Sequence, residues 1–155
     1  MPSADSASHP GRFLHVPVYF CSRCHDNLVT PSEYSEYVEK LAADCRDAKK
    51  DGPASADCDP EELDRKREVA RVYTLLEQLQ KEQGLLSYGA MISRAVRLLD
   101  DSPELLAQLQ ERYQFILVDE FQDTNTAQFE LLVRLAGTRR NLTVVGDDDQ
   151  AIYRF

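Results

Sequence analysis

The sequence predicts an α/β fold in which a mainly helical region is followed by a short parallel sheet. The continuous apolar run Phe115–Val118 is too short for a helix and favours a strand that is buried on both faces, and Leu142–Val145 is predicted to be a second buried strand. A helix predicted from Thr124 to Ala136 joins the two runs. Strand, helix and strand with short connections indicate parallel pairing with a right-handed crossover.

The pattern divides the chain into three parts. Residues 1–12 are polar and expected to be disordered, residues 13–112 form the helical region, and residues 113–155 form the α/β part. Within the helical region, apolar side chains recur at helical spacing. Its last two helices are predicted over Tyr88–Leu99 and after a cap at Ser102.

Local hydrogen-bonding patterns predict where two earlier helices begin. Thr30, followed by Pro31 and then Glu33, has the pattern of a capping box with proline in its favoured place. Asp59 precedes a proline and two glutamates, which predicts a second helix start. Gly84 is predicted to end that helix, because glycine adopts the left-handed conformation of a helix C-terminus without steric cost.

Composition and charge narrow the class of protein. The 155 residues are 43% hydrophobic and 29% charged, which is typical of a soluble globular domain. No apolar run approaches the roughly 20 residues of a membrane span, and the terminus has no secretory pattern. We therefore expect a cytoplasmic protein with no membrane partner. The net charge of −9 counts against a free-standing DNA-binding protein, because phosphate contacts need basic side chains.

Four cysteines raise the question of a metal site. Cys21 and Cys24 have the spacing of a zinc-ligand pair. A closed zinc site needs a second pair, and Cys45, in a helical pattern, and Cys58, in a polar linker, do not form one. The interpretation that the residues favour is therefore four reduced thiols, as is usual in the cytosol.

Acidic and amide side chains follow both predicted strands. Asp119 and Glu120 come directly after the first strand, and Asp147–Asp149 and Gln150 follow the second. Ligands collect at the carboxyl ends of parallel strands, and Mg²⁺ binds one or two carboxylates together with waters and nucleotide phosphates. Asp119 can then face the metal and Glu120 an attacking water. Gln150 can donate to a phosphate oxygen and accept from that water.

A structural interpretation of the same residues has to be weighed. An Asp-Glu pair after an apolar run is common, Asp147–Asp149 could be a solvated turn, and Asp123 and Thr124 could cap the next helix. Two such clusters on consecutive predicted strands make a functional site the better interpretation.

Two long strings carry a family resemblance. The segment Phe115–Asn125 (FILVDEFQDTN) resembles the Walker B segment of superfamily 1A DNA helicases of the UvrD/Rep (PcrA-like) type. Val145–Phe155 (VGDDDQAIYRF) resembles the next motif of that family, at the usual distance. A weaker likeness to the family's helical insertion extends back to about Val18 and includes Asn27–Tyr34 and the Ala70–Leu86 helix.

The resemblance implies a fold and a set of roles. The fold is an incomplete P-loop NTPase (RecA-like) parallel sheet preceded by a mainly helical insertion subdomain. The implied activity is ATP-driven 3′ to 5′ movement on single-stranded DNA or at duplex junctions. By the same resemblance Asp119 binds Mg²⁺, Glu120 is the catalytic base and Gln150 contacts the γ-phosphate of ATP. Tyr153 and Phe155 match positions near the DNA. Tyr153 could equally be a core aromatic, and Phe155 replaces the tryptophan of many members.

The phosphate-binding loop of such enzymes, G-x-x-x-x-G-K-[ST], does not occur in these 155 residues. No such loop begins at any of the six glycines, which are Gly11, Gly52, Gly84, Gly89, Gly137 and Gly146. The family places this loop upstream of residue 1 and a second RecA-like domain downstream of residue 155. We therefore expect a helicase fragment that is inactive alone and whose partners include the missing helicase portions.

Two other functions remain open at the level of sequence. The chain could be a non-catalytic DNA- or protein-binding remnant of a helicase, in which the acidic residues are inert. It could also be a small metal-dependent phosphodiesterase that uses the acidic clusters directly, which nuclease activity with Mn²⁺ and no ATP would reveal.

Overall fold

A computed structural model describes residues 10–48, 58–147 and 149 of the chain. The helical region and the α/β part follow one another as the sequence predicts. The helices and strands are α1 (Pro10–Asp26), α2 (Pro31–Ala48), α3 (Pro60–Gln83), α4 (Tyr88–Asp101), α5 (Pro103–Arg112), β1 (Ile116–Val118), α6 (Thr126–Ala136) and β2 (Leu142–Val144). Over these residues we find no helix with the length and apolar character that a bilayer crossing demands.

Contacts divide the chain into two compact units. The first contains residues up to 24 together with 29–86, and the second contains residues 25–28 together with 87 onwards. The division therefore falls between α3 and α4, whereas the sequence pattern placed a boundary at residue 112. The assignment of residues 13–112 to one functional subdomain stays a prediction.

The first unit begins with α1, which the sequence did not predict. The apolar residues between 13 and 29 have no clear period, and Pro17 lies inside the helix. The structure is nevertheless helical from Pro10, within the stretch expected to be disordered, while residues 1–9 lie outside the described part. Cys21 and Cys24 on this helix pack with Tyr73 of α3 in the core of the unit.

The predicted caps of α2 and α3 are confirmed. The backbone N–H of Glu33 donates to Thr30 Oγ1 at 3.0 Å, and the backbone N–H of Thr30 donates to Glu33 Oε2 at 2.7 Å. Asp59 accepts from the N–H of Glu61, and Gly84 ends α3 in the left-handed conformation with φ 66°. These bonds satisfy helix-end donors that would otherwise lack partners.

A disulfide joins Cys45 of α2 to Cys58, which lies just before α3. The prediction of four reduced thiols was therefore wrong for this pair, whereas Cys21 and Cys24 are free thiols. The bond is possible because the Cα atoms of Cys45 and Cys58 lie 5.2 Å apart, within the range that a disulfide spans. It ties the end of α2 to the start of α3.

The second unit packs α4 against α5 and α6. Ala90, Val96 and Leu99 of α4 and Ala127 of α6 are buried. A guanidinium fork fixes the two longer helices, because Arg134 on α6 donates to both carboxylate oxygens of Asp100 on α4, at 2.6 and 3.0 Å. The predicted cap of α5 is only partly right. Ser102 occupies the cap position, but its side chain makes no capping hydrogen bond.

Strands β1 and β2 pair in parallel, as predicted, with Ile116 opposite Leu142 and Val118 opposite Val144. The prediction that both strands are buried was wrong for the described structure. Leu117 is 73% exposed, and Phe115, just before β1, is 82% exposed. The sheet has only these two strands among the described residues, and the face that carries Leu117 is exposed.

The Cys45–Cys58 disulfide should stabilise the protein measurably. In the chain-entropy model, closing a loop of about 15 residues contributes about 3 kcal/mol. In a chain of this size that corresponds to a loss of about 5–10 °C in melting temperature on reduction. Thermal unfolding followed by circular dichroism, with and without reductant, measures the difference. The Cys45→Ala/Cys58→Ala variant should melt at the temperature of the reduced wild type, with or without reductant. A wild-type melting temperature that reductant does not change would refute the expectation.

The Arg134–Asp100 fork should give the stability a characteristic pH dependence. The hydrogen bond from Arg134 lowers the pKa of Asp100 below its ordinary value. The stabilising contribution is therefore complete above that ordinary value, near pH 4, and is lost as the pH falls through the lower folded pKa. We expect Asp100→Asn to lower the melting temperature slightly at pH 7, and the difference from wild type to close in acid.

The neighbouring exposed carboxylate provides the control for this experiment. Asp101→Asn should leave the melting temperature near that of the wild type across the same pH range, because Asp101 forms no ion pair among the residues that the structure describes. A pH-independent effect of Asp100→Asn would contradict the role of its charge.

Candidate functional site

The end of β1 carries the predicted acidic pair in a constrained backbone. Asp119 follows the strand directly, and its Oδ1 accepts the backbone N–H of Glu120 at 3.0 Å. Glu120 has φ 53° and ψ 42°, a left-handed conformation that few residues with side chains adopt. Both carboxylates are exposed to solvent. The backbone strain at Glu120 marks this position as a candidate for function, since such strain collects at active sites.

A tight turn then leads into α6. Residues Phe121–Asp123 form one 3-10 turn, in which the N–H of Asp123 donates to the carbonyl of Glu120 at 2.9 Å. Asn125 caps α6 through a full capping box with Gln128. The cap is thus Asn125, and the alternative in which Asp123 and Thr124 serve only as a helix cap is wrong. Asn125 also donates to Asp26 Oδ1 at 2.8 Å.

Backbone pairing continues beyond the ends of both strands. The N–H of Val145 donates to the carbonyl of Val118 at 2.8 Å, and the N–H of Phe121 donates to the carbonyl of Val145 at 2.9 Å. These two bonds bring the loop after β2 alongside the loop after β1. The two acidic segments that the sequence singled out therefore begin at the same edge of the sheet.

The side chain of Gln122 joins the two loops. Its Nε2 donates to Glu120 Oε2 at 2.5 Å, and its Oε1 accepts the backbone N–H of Asp147 at 3.0 Å. Asp147 Oδ1 in turn accepts the backbone N–H of Asp149. The sequence pattern did not point to Gln122, although its side chain has the same two-sided amide as that of Gln150.

A cavity of about 400 Å³ opens beside this edge. Polar and apolar side chains line it, namely Val118, Asp119, Glu120, Asp123, Thr124, Gln128, Leu131 and Leu132. It brings the acidic pair and Asp123 to one solvent-filled space, where a charged ligand can reach the carboxylates without crossing the core.

The donor set at this edge fits a magnesium ion. The available atoms are carboxylate oxygens, which Mg²⁺ prefers, and it needs only one or two from the protein because water and phosphate oxygens complete its shell. No cluster of three or more histidine, cysteine or acidic side chains arranged for a metal occurs within the described ranges. An all-protein metal cage is thus absent from that part of the chain, whereas one carboxylate such as that of Asp119 is within the number of protein ligands that Mg²⁺ needs.

The structure places some of the predicted site residues and leaves others untested. Asp119 and Glu120 lie together at the end of β1, as predicted. Gln150, Tyr153 and Phe155 lie outside the described residues, so their roles stay predictions.

The surroundings of Cys21 and Cys24 favour a structural role over a zinc site. Burial raises the pKa of each thiol to about 11, so both are neutral near pH 7. Zinc binds thiolates, and these two sulfurs pack against Tyr73 in the core. The pair is better explained as part of the hydrophobic interior of the first unit.

Comparison with known proteins places this geometry in a family. Residues 15–155 match the model of the UvrD/REP helicase N-terminal domain. The chain is 41% identical over 90 residues to the ATP-dependent DNA helicase Rep of Escherichia coli, which is 58% of this chain and 13% of that protein.

Two other relatives match over similar lengths. The ATP-dependent DNA helicase PcrA of Bacillus subtilis is 41% identical over 87 residues, or 56% of this chain and 12% of its own length. DNA helicase II of Haemophilus influenzae is 39% identical over 87 residues, again 56% of this chain and 12% of its own length. The chain spans about an eighth of the length of these relatives. Since the family model covers nearly all of it, the chain belongs to the UvrD/REP helicase N-terminal domain family.

Proposed function

We propose that this chain supplies the Walker B part of the ATPase domain of an ATP-dependent DNA helicase. The observation that carries the proposal is the edge of the sheet, where Asp119 and Glu120 lie next to the loop that contains Asp147. The relatives Rep and PcrA are named ATP-dependent DNA helicases, which supports the same reaction for this site.

In this proposal the acidic residues have separate tasks. Asp119, at the strand end, would hold Mg²⁺, which when bound neutralises the phosphate oxygens of ATP. Glu120 accepts the proton of the attacking water, a task suited to an exposed carboxylate with a fixed backbone. Gln150 contacts the γ-phosphate. The remaining requirement is a backbone cradle for the phosphates, and the motif that forms it, G-x-x-x-x-G-K-[ST], does not occur in these 155 residues.

The DNA contacts belong to the aromatic end of the chain. We assign Tyr153 and Phe155 to stacking on bases of single-stranded DNA, with movement from 3′ to 5′. Base stacking on an aromatic ring typically contributes about 1–3 kcal/mol per base. The net charge of −9 means that most phosphate contacts come from other parts of the helicase. A DNA substrate is consistent with the expected cytoplasmic location.

The exposed sheet supports a role as part of a larger domain. Leu117 of β1 is 73% exposed and Val144 of β2 is 46% exposed, on strands that would be buried in a complete doubly covered parallel sheet. We infer that further strands and helices of the helicase cover this face. The partners that we propose for the chain are ATP, DNA and the helicase segments that cover this face.

The proposal predicts an inactive chain and an active chimera. The purified chain alone should show no measurable ATP hydrolysis, because phosphoryl transfer depends on positioning groups that it lacks. Residues 87–155 grafted into Escherichia coli Rep, in place of the matching segment, should retain DNA-stimulated ATP hydrolysis. Glu120→Gln in the chimera should lower kcat by about 10²–10⁴ while nucleotide binding persists, because a general base is lost.

A matched substitution separates this effect from a general loss of charge. Glu111→Gln removes an exposed carboxylate from α5, away from the sheet edge, and should leave kcat unchanged. A folded chimera that binds ATP and turns over equally well with Glu120→Gln would overturn the proposal. A folded chimera with no hydrolysis at all would favour the non-catalytic remnant.

A further inference from the structure

Gln122 occupies a position that the proposed reaction does not yet use. It is half-buried, it follows the acidic pair by two residues, and its amide lies between the two loops of the site. We propose that Gln122 is a positioning residue that orients the Glu120 carboxylate and couples it to the loop after β2. The assignment of this role rests on the proposed function, but the contacts themselves do not.

The chemistry of the two contacts leaves one orientation for the amide. A carboxylate can only accept, so Glu120 requires the NH₂ side of the amide. The backbone N–H of Asp147 can only donate, so it requires the carbonyl side. The observed arrangement satisfies both, with 2.5 Å to Glu120 Oε2 and 3.0 Å to Asp147 N. Neither glutamate nor lysine could satisfy both contacts.

Gly146 leaves the space that this amide needs. A Cβ atom at residue 146 would lie 2.8 Å from Gln122 Oε1 and 3.4 Å from the backbone N of Gln122. Unlike Gly84 and Gly137, Gly146 does not have a positive φ, so its backbone conformation would accept another residue. A side chain at residue 146 would therefore push the Gln122 amide away from its present position between the two loops.

Gln122 therefore connects the loop after β2 to the Glu120 carboxylate. The left-handed backbone fixes the start of the Glu120 side chain, and the amide of Gln122 fixes its end. Any displacement of residues 146 and 147 then moves the amide and, with it, the carboxylate. If a ligand moves the loop after β2, the orientation of the Glu120 carboxylate would therefore change as well.

Hydrogen exchange measured by NMR on the full chain tests the contact with the loop. In the wild type the backbone N–H of Asp147 should exchange roughly fivefold more slowly than in Gln122→Ala, since one hydrogen bond is lost. Gly146→Ala should have a similar effect because it displaces the amide. Gln122→Glu retains an acceptor and should keep most of the protection.

Double-mutant comparison of NMR chemical shifts tests the coupling between Glu120 and Asp147. A purely structural role of Gln122 would not make the effect of one residue on the other depend on its amide. Glu120→Gln should shift the Asp147 amide resonance in the wild-type background and leave it unmoved in the Gln122→Ala background. Gln78→Ala removes a glutamine–glutamate hydrogen bond of the same kind, at 2.8 Å on α3, and serves as the control. The control should leave the Asp147 shift response intact.

The possible outcomes are distinct. Equal exchange in wild type and Gln122→Ala, or a Glu120→Gln shift that survives in Gln122→Ala, would overturn the coupling. The expected pattern would establish it whether or not ATP is hydrolysed, because no nucleotide is present in the experiment. The coupling could hold while kcat of the Rep chimera is the same with and without Glu120→Gln. In that case the proposed function is wrong, and the coupling through Gln122 still stands.

Discussion

Two backbone hydrogen bonds beyond the ends of β1 and β2 hold the candidate site together. The N–H of Val145 binds the carbonyl of Val118, and the N–H of Phe121 binds the carbonyl of Val145. Parallel strands end at a common edge, so this pairing brings both acidic loops to one place. Since side chains alternate along a strand, a slip of one residue would turn the side chains that lead into these loops to the opposite face. The register of a three-residue ladder thus determines whether the site exists.

Local contacts constrain the backbone and the side chain of Glu120 in the acidic pair. A left-handed conformation costs an L-residue about 1–2 kcal/mol, so Glu120 adopts it only because its surroundings enforce it. Its N–H is held by Asp119 Oδ1, its carbonyl by the N–H of Asp123, and its carboxylate by Gln122. The sequence alone predicted that Asp119 and Glu120 follow a strand, because that depends on residues next to them. It could not predict the strain or the amide contact.

Features that depend on neighbouring residues in the sequence were predicted, whereas features that depend on distant residues were not. The end of α3 at Gly84 was predicted because a helix terminus depends on adjacent residues. The exposure of Leu117 was not predicted, because an apolar run indicates that a strand tends to be buried but does not show which elements cover it. The Cys45–Cys58 bond depends on a Cα separation that spacing does not fix. Gln122 was overlooked because its loop partner lies 25 residues away.

If the ends of β1 and β2 form one metal–nucleotide centre, a paramagnetic metal ion should broaden NMR signals from both loops. Mn²⁺ added with ATP to the isotope-labelled chain should broaden the amide signals of Asp119, Glu120 and Asp147 at the same low concentration. Asp119→Asn should remove the broadening at both loops together. Broadening of one loop without the other, or broadening that survives Asp119→Asn, would contradict a shared centre.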